Sequence, residues 1–240
     1  MGILEDKVAI VSGIGPGMGR DISLALAKEG AHVVLAARGM DKLEAVAREI
    51  EPLGRRVLCV PTDVTKREDC HRLVSQALET FGKVDILSNN AFDPGARELV
   101  EDADLDGWRR MFEVNLYGAM QLSQEVIPAM KRQKKGAIVM TNSMSMRLII
   151  EKYGGYAASK AALLAEERRL VASIPSEFVE RHDQLDKAKV MWCSKGGYTW
   201  PDQGTIVLKG NPDRRALLEG IADVYAEDPA YAVRWDNLLD

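Results

Sequence analysis

Short apolar runs alternate with amphipathic stretches along the first two thirds of the chain. The apolar runs predict strands at about 7–12, 32–37, 56–61, 84–88 and 136–142. The amphipathic stretches predict helices at about 17–29, 40–51, 66–81, 105–131 and 156–172. Such an alternation favours right-handed crossovers and a parallel sheet that helices cover on both faces. We therefore expect an α/β fold with a doubly wound parallel sheet of the Rossmann type, in a single domain over residues 1–240.

A glycine-rich turn follows the first predicted strand and leads directly into a helix. The strand ends at Ser12, and Gly13, Gly17 and Gly19 mark the turn. Glycine allows close backbone approaches that a Cβ would block, and a helix amino terminus offers unpaired N–H groups to a pyrophosphate. The unit predicts a dinucleotide site, with a plain tight turn as the alternative.

A tyrosine, a lysine and a serine form a second candidate site. Tyr156 and Lys160 are four residues apart, so a helix places them on one face. A tyrosine hydroxyl titrates near pH ~10, and a neighbouring ammonium lowers its pKa. Ser143 follows an apolar strand, where its hydroxyl can polarise a carbonyl or an alcohol; Ser145 is the rival serine. These groups predict proton transfer at a substrate oxygen, with a solvated helix face as the alternative.

Taken in order, the motifs resemble those of the short-chain dehydrogenase/reductase family. The segment from Ser12 to Gly19 is similar to the family's T-G-x-x-x-G-x-G, with serine for threonine. Asn89-Asn90-Ala91 resembles the start of N-N-A-G, with Phe92 where glycine is usual. The resemblance covers residues 1–170. Residues 171–240 form a divergent region that would bind the substrate and complete the fold.

The resemblance implies a role for each matching residue. The implied catalytic residues are Asn115, Ser143, Tyr156 and Lys160. The implied cofactor-binding residues are Ser12, Gly13, Gly17, Met18, Gly19, Arg38, Asp63, Val64, Asn90, Ala91, Tyr156 and Lys160. In the family the asparagine holds a water in a proton path from the lysine to solvent, and the acid at Asp63 contacts adenine. No metal is implied.

The end of the second strand bears on the choice of cofactor. The run from Val33 to Ala37 ends without an acid that would bind a ribose 2′-hydroxyl, and Arg38 comes next. An arginine there suits a 2′-phosphate. We expect NADP, with NAD as the alternative; Arg38 is otherwise an exposed loop cation that Asp41 or Glu44 neutralises.

The last third departs from the family pattern. No P-G pair follows the predicted sixth strand at 190–193, and only about a dozen residues separate it from a seventh at 205–208. A closing helix is expected at about 212–227. The lid that usually covers the substrate has too little room here.

Composition excludes several other classes of protein. A net charge of −4 argues against a general nucleic-acid binder. The three cysteines, Cys59, Cys70 and Cys193, have no C-x-x-C spacing, which favours a reducing compartment. No apolar run approaches the ~18 to 20 residues that span a membrane. We expect a cytoplasmic protein.

Together these features predict an NADP-dependent oxidoreductase that interconverts a secondary alcohol and a ketone, with Tyr156 as the general acid and base. Its partners would be a small carbonyl or alcohol substrate and further copies of itself. The family pairs its subunits through the helices at 105–131 and 156–172, which implies a homodimer or homotetramer. The alternative is a dinucleotide-binding or sensing module with an incomplete substrate site.

Overall fold

The computed structural model describes residues 2–146, 150–172, 190–191 and 205–206. The chain divides into two compact units, Met1–Arg168 and Arg169–Asp240. The strands of the first unit are β1 (Val8–Ser12), β2 (His32–Ala37), β3 (Val57–Pro61), β4 (Ile86–Asn89) and β5 (Ala137–Met140). All five predicted strands are present with small differences at their ends. The single domain over 1–240 stays a prediction.

The five strands form one parallel sheet in the order β3-β2-β1-β4-β5. The chain moves outward from β1 through β2 to β3, then returns to the other side of β1 for β4 and β5. This doubly wound topology confirms the predicted fold class. Strand order reverses between β1 and β4, and open α/β sheets bind ligands beyond the carboxyl ends of the strands at such a point.

Helices connect the strands and cover both faces of the sheet. They are α1 (Met18–Lys28), α2 (Met40–Ile50), α3 (Arg67–Phe81), α4 (Leu105–Phe112), α5 (Ala119–Gln133) and α6 (Gly154–Ala172). The prediction of one helix over 105–131 needs a correction, because a π-helical turn at Glu113–Gly118 separates α4 from α5. Gly118 lets this turn approach Val64, since a Cβ there would lie 2.7 Å from the valine Cγ2.

The apolar core has two layers because strand side chains alternate between the faces of the sheet. Val33 and Leu35 of β2 face the layer formed with α1 and α2. Val34 and Ala36 face the layer formed with α3 and α5. Burial of one such valine or leucine side chain contributes roughly 1.5–3 kcal/mol. The two buried layers therefore stabilise the sheet that carries the loops at its carboxyl edge.

In the second unit the structure describes β6 (Val190–Met191) and β7 (Thr205–Ile206). They pair with each other in antiparallel fashion, as a two-stranded sheet of their own. The expected sixth and seventh strands are therefore present, but not as members of the parallel sheet. Parallel strands need a long crossover, usually helical, whereas a short connection suits antiparallel pairing. The helix predicted at about 212–227 lies outside the described residues.

Candidate active site

Two glycines of the turn after β1 are required by close backbone contacts. Gly13 has a positive φ of 75°, and a Cβ on it would collide with the backbone of Ala91. A Cβ on Gly19 would collide with the carbonyl of Gly13. These contacts fold the turn tightly against the end of β4.

The other glycines of the turn face open space. Neither Gly15 nor Gly17 has an atom within 4 Å of the place a Cβ would occupy. Gly17 precedes α1, and no side chain caps the helix there. The first N–H groups of α1 therefore remain available to an anion. The open turn lies beside the amino terminus of α1, which begins at Met18, and this arrangement fits the pyrophosphate of a dinucleotide.

A buried serine ties the turn to the neighbouring strand. Ser12 Oγ accepts hydrogen bonds from the N–H groups of Asn90 (3.1 Å) and Ala91 (3.3 Å). The Asn90 side chain in turn donates to the carbonyl of Gly13 at 3.0 Å. Ser12 and Asn90 are both buried. The structure thus brings the predicted cofactor residues at the ends of β1 and β4 into one network that shapes the turn.

Arg38 and the pair Asp63-Val64 lie at the ends of β2 and β3. The Arg38 side chain is exposed, and it forms no ion pair with Asp41, Glu44 or any other residue that the structure describes. Asp63 Oδ1 accepts from the Thr65 N–H (3.1 Å) and hydroxyl (2.8 Å). No side-chain hydrogen bond among the described residues joins Arg38 or Asp63 to the glycine turn.

Lys160 is buried within the carboxyl edge of the sheet. Its side chain donates a 2.8 Å hydrogen bond to the carbonyl of Thr141, directly after β5. Its Nζ lies 5.9 Å from the centroid of the Tyr156 ring. Burial lowers the pKa of Lys160 from its usual value to about 8. The group therefore remains largely an ammonium at neutral pH.

The phenol of Tyr156 is partly buried next to this ammonium. Burial raises the pKa of Tyr156, the Ser143 hydroxyl acts in the opposite direction, and Tyr153 adds to the rise. We expected Lys160 to lower this pKa, but the lysine directs a hydrogen bond to the Thr141 carbonyl instead. The phenol is thus held in its protonated form at neutral pH, which is the form that can donate a proton.

The two candidate serines contact each other. Ser145 donates to Ser143 Oγ through its hydroxyl (3.0 Å) and its N–H (3.2 Å). Ser143 is the serine whose hydroxyl affects the pKa of Tyr156. Ser145 is almost fully buried, and its two hydrogen bonds orient the Ser143 hydroxyl.

Asn115 lies on the π-helical turn and is buried, as its apolar neighbours predict. Its Oδ1 accepts from the Asp93 N–H at 2.7 Å, and its Nδ2 donates to the Asp93 carbonyl at 2.9 Å. The same Nδ2 donates to Ser159 Oγ at 3.0 Å. Ser159 Oγ donates to the carbonyl of Tyr156 at 2.8 Å. One asparagine therefore links the loop after β4 to the helix that carries Tyr156 and Lys160.

Sequence reasoning missed three residues that hold this arrangement together. Thr141 directly follows β5 and takes part through its backbone carbonyl, so only its place at a strand end could have indicated it. Ser159 adjoins Lys160, but a serine inside a helix is usually solvated and gives no signal of its own. Asp93 takes part through its backbone, so its side-chain identity indicates nothing.

The part of the chain that the structure describes contains no group of three or more His, Cys, Asp or Glu residues that could hold a metal. None of its helices is long and apolar enough to cross a membrane. Cys59 and Cys70 are free thiols, and burial raises the pKa of Cys70 to about 12. Neither thiol is activated as a nucleophile.

The doubly wound sheet, the glycine-rich turn at its switch point and the neighbouring Tyr156 and Lys160 side chains are together typical of a dinucleotide-dependent oxidoreductase. The chain belongs to the short chain dehydrogenase family, whose model matches residues 7–175. It is therefore an NAD(P)-dependent short-chain dehydrogenase/reductase.

Relatives and solved structures agree with this assignment. An uncharacterized oxidoreductase of Staphylococcus aureus (strain MRSA252) is 37% identical over 163 residues, which cover 68% of this chain and 69% of that protein. A 7α-hydroxysteroid dehydrogenase complexed with NADH and 7-oxo glycochenodeoxycholic acid is 34% identical with a TM-score of 0.64, over 67% of this chain and 62% of that one. An alcohol dehydrogenase from Thermococcus sibiricus complexed with 5-hydroxy-NADP is 33% identical with a TM-score of 0.67, over 71% and 72%.

Proposed function

We propose that the protein interconverts a secondary alcohol and a ketone with NADP(H), using Tyr156 as the general acid and base. The observation that carries this proposal is that the partly buried phenol of Tyr156 has the Ser143 hydroxyl as a hydrogen-bond partner and the Lys160 ammonium beside its ring. A buried acid with a polarising hydroxyl and a fixed positive charge beside it suits proton transfer to a carbonyl oxygen.

Each residue of the proposed catalytic group has a separate task. The nicotinamide cofactor, when bound, supplies or accepts the hydride. Tyr156 gives its proton to the substrate oxygen during reduction and takes it back during oxidation. Ser143 donates a hydrogen bond that orients this oxygen. The Lys160 ammonium stabilises the phenolate that remains and is the group we assign to the nicotinamide ribose, while Asn115 supports a water relay.

Arg38 supports NADP as the cofactor. Its guanidinium follows β2, is exposed, and has no acidic partner within the described residues. Arginine pairs with phosphate through charge-assisted hydrogen bonds, so a 2′-phosphate would be favoured at this position. The solved relatives include complexes with NADH and with an NADP derivative and leave both cofactors open. We assign the adenine contact to Asp63 and Val64.

The names of the structural neighbours support the proposed substrate class. The hydroxysteroid dehydrogenase is complexed with a 7-oxo compound, and another neighbour is an NAD+-bound xylitol dehydrogenase with 27% identity and a TM-score of 0.69. Both names refer to an alcohol or a ketone. We propose a small molecule with the same functional group for this chain, handled by a cytoplasmic enzyme.

An exposed apolar surface supports self-association. One concave surface of α4 and the π turn has an apolar part, of which Leu105 and Tyr117 are more than half exposed. The residues that line this surface are Leu105, Trp108, Phe112 and Tyr117, together with the charged Arg109 and Glu113. A helix face of this kind tends to pair across a two-fold axis. We propose that the working enzyme is a homodimer or homotetramer that uses this face.

A dinucleotide-binding module without turnover is the second candidate. It is favoured by the end of the family match at residue 175 and by the missing P-G pair. The experiment that separates the two measures NADPH oxidation with a panel of ketones, for the wild type and for Tyr156→Phe. Turnover that depends on Tyr156 supports the oxidoreductase, whereas NADPH binding without any turnover supports the module.

A further inference from the structure

The loop between β4 and α4 carries an arginine, Arg97, that contacts an aromatic neighbour of the proposed catalytic tyrosine. The guanidinium carbon of Arg97 lies over the ring of Tyr153, 4.9 Å from its centroid. Tyr153 meets the ring of Tyr156 edge-on, with centroids 6.1 Å apart and an interplanar angle of 78°. Two successive aromatic contacts thus connect Arg97 to the proposed acid.

The hydrogen-bonding capacity of Arg97 is unused within the part of the chain that the structure describes. Its side chain is exposed and forms neither a hydrogen bond nor an ion pair there. A guanidinium has five N–H donors, and the electrostatic attraction to a ring face consumes none of them. The nearest acids along the loop bind backbone N–H groups instead: Asp93 that of Gly95, and Glu98 that of Asp104.

The loop that carries Arg97 is anchored at its base. Asn115 holds both the N–H and the carbonyl of Asp93. Gly95 has a positive φ of 64° and lies against Met111, where a Cβ would collide with the methionine Cε. The cation–π contact then holds the guanidinium beside Tyr153. Arg97 is therefore an exposed cation that contacts Tyr153, which in turn contacts the ring of the proposed acid.

We infer that the substrate carries a carboxylate, which Arg97 binds while the reacting carbonyl lies at Tyr156 and Ser143. This inference rests on the proposed function and names its substrate class as keto acids and hydroxy acids. A single guanidinium fork matches the two oxygens of a carboxylate. Phosphate sites, by contrast, commonly combine an arginine with further cations or a helix amino terminus. A carboxylate is therefore the better match for a single arginine.

The test compares keto acids of graded chain length with their methyl esters, which lack the negative charge at the far end and carry one more methyl group there. We would measure kcat/KM for each pair with NADPH, in the wild type, Arg97→Gln, Arg97→Lys and the control Arg132→Gln. Arg132 is exposed in the last turn of α5, so its substitution changes net charge equally. Loss of a charged hydrogen-bonded pair is worth about 10- to 100-fold.

We expect the wild type to prefer at least one acid over its ester by about 10- to 100-fold. Arg97→Gln should bring this ratio close to one, Arg97→Lys should restore part of it, and Arg132→Gln should leave it unchanged. The inference would be overturned if the wild type turned over acids and esters equally well, or if Arg97→Gln kept the preference for acids. Either result would leave the oxidoreductase proposal standing.

A wild type that reduces no ketone would contradict the proposed function, and calorimetry would then decide the question of Arg97 separately. Acids and esters would be titrated into the complex of the protein with NADPH. Tighter binding of an acid that Arg97→Gln abolishes would support a carboxylate site without turnover. Equal or undetectable binding of acids and esters would refute it.

Tyr153 offers an independent check, because the contact with Arg97 requires its ring and not its hydroxyl. Tyr153→Phe keeps the ring and should preserve the preference for acids. Tyr153→Leu removes the ring and should lower the ratio of acid to ester turnover. The same ratio in both variants would show that this contact does not position Arg97 for a substrate.

Discussion

Asn115 donates a 3.0 Å hydrogen bond from Nδ2 to Ser159 Oγ, and both side chains are buried. The two residues lie on different helices, the π turn before α5 and the helix α6. Because Ser159 also donates to the Tyr156 carbonyl, it connects the asparagine to the first turn of the helix that carries the proposed acid. Its position predicts an effect on catalysis without contact with the substrate.

Ser159→Ala leaves Asn115 Nδ2 with one hydrogen-bond partner fewer in a buried site. We expect a loss of about 1–3 kcal/mol in the free energy of unfolding, together with a lower kcat and a shifted pH profile of kcat. Stability would be measured by urea unfolding and activity by the absorbance of NADPH over a range of pH.

Ser123 is a matched control for Ser159. It is also fully buried, accepts from an asparagine Nδ2 (Asn89, 3.1 Å) and donates to a carbonyl of its own helix (Ala119, 2.8 Å). Ser123→Ala should cost similar stability and leave the pH profile unchanged. Equal shifts of the profile in both variants would show that Ser159 acts only through stability.

Tyr156→Phe should lower kcat by roughly 10²–10⁴-fold, because general acid–base catalysis contributes about that much. The affinity for NADPH should remain nearly the same, since the substitution removes only the transferable proton. Steady-state kinetics and a fluorescence titration of NADPH measure the two quantities. Retention of most of the wild-type turnover would remove Tyr156 from the mechanism.

Lys160→Met should change how stability depends on pH. Burial lowers the pKa of Lys160 to about 8 in the folded state from 10.5, so the unfolded chain binds more protons between these values. The stability of the wild type should therefore rise relative to Lys160→Met as pH increases from about 8 to 10.5, by about 3 kcal/mol in total.

Urea unfolding of the cofactor-free protein at several pH values measures this difference. Below pH 8 the lysine is charged in both states, so the two curves should run parallel there. Parallel curves up to pH 10.5 as well would mean that the buried ammonium is as well solvated as in the unfolded chain.

Arg38→Asp should reverse the cofactor preference. A carboxylate repels a 2′-phosphate and accepts from a 2′-hydroxyl, and a charged hydrogen bond contributes about 1.5–3 kcal/mol. We expect NADPH affinity to fall by about 10- to 100-fold relative to NADH. Side-by-side titrations measure it, and a wild type that binds NADH as tightly as NADPH would refute the role of Arg38.

Substitution of Leu105 and Tyr117 by aspartate should dissociate the oligomer, because two carboxylates would be buried at the proposed interface. Light scattering should give a multiple of the 26.5 kDa chain mass for the wild type and the chain mass for the variant. Ile3→Asp, at an exposed apolar residue elsewhere, is the control. A monomeric wild type at micromolar concentration would contradict the proposal.

The sequence predicts the sheet well because strand periodicity and strand ends are local properties. Ser12 and Asn90 were located from motifs alone, and both lie at the switch point of the sheet. The π turn around Asn115 was not predictable, because it depends on Val64 and Asp93, which are distant in sequence. The same is true of the direction of the Tyr156 pKa, which burial controls and spacing does not show.

The π turn also fixes how many residues the chain can have at this point. A π-helical turn holds more residues than an α-helical one, and each residue of an α-helix advances about 100° around its axis. The phase of α5, whose Leu122 and Val126 are fully buried, therefore depends on the extra residue. Deletion of one residue between Glu113 and Gly118 would give a more regular helix with its apolar stripe turned from the sheet. A change of length here should therefore disturb the packing of α5 more than a change of an exposed side chain such as Glu113.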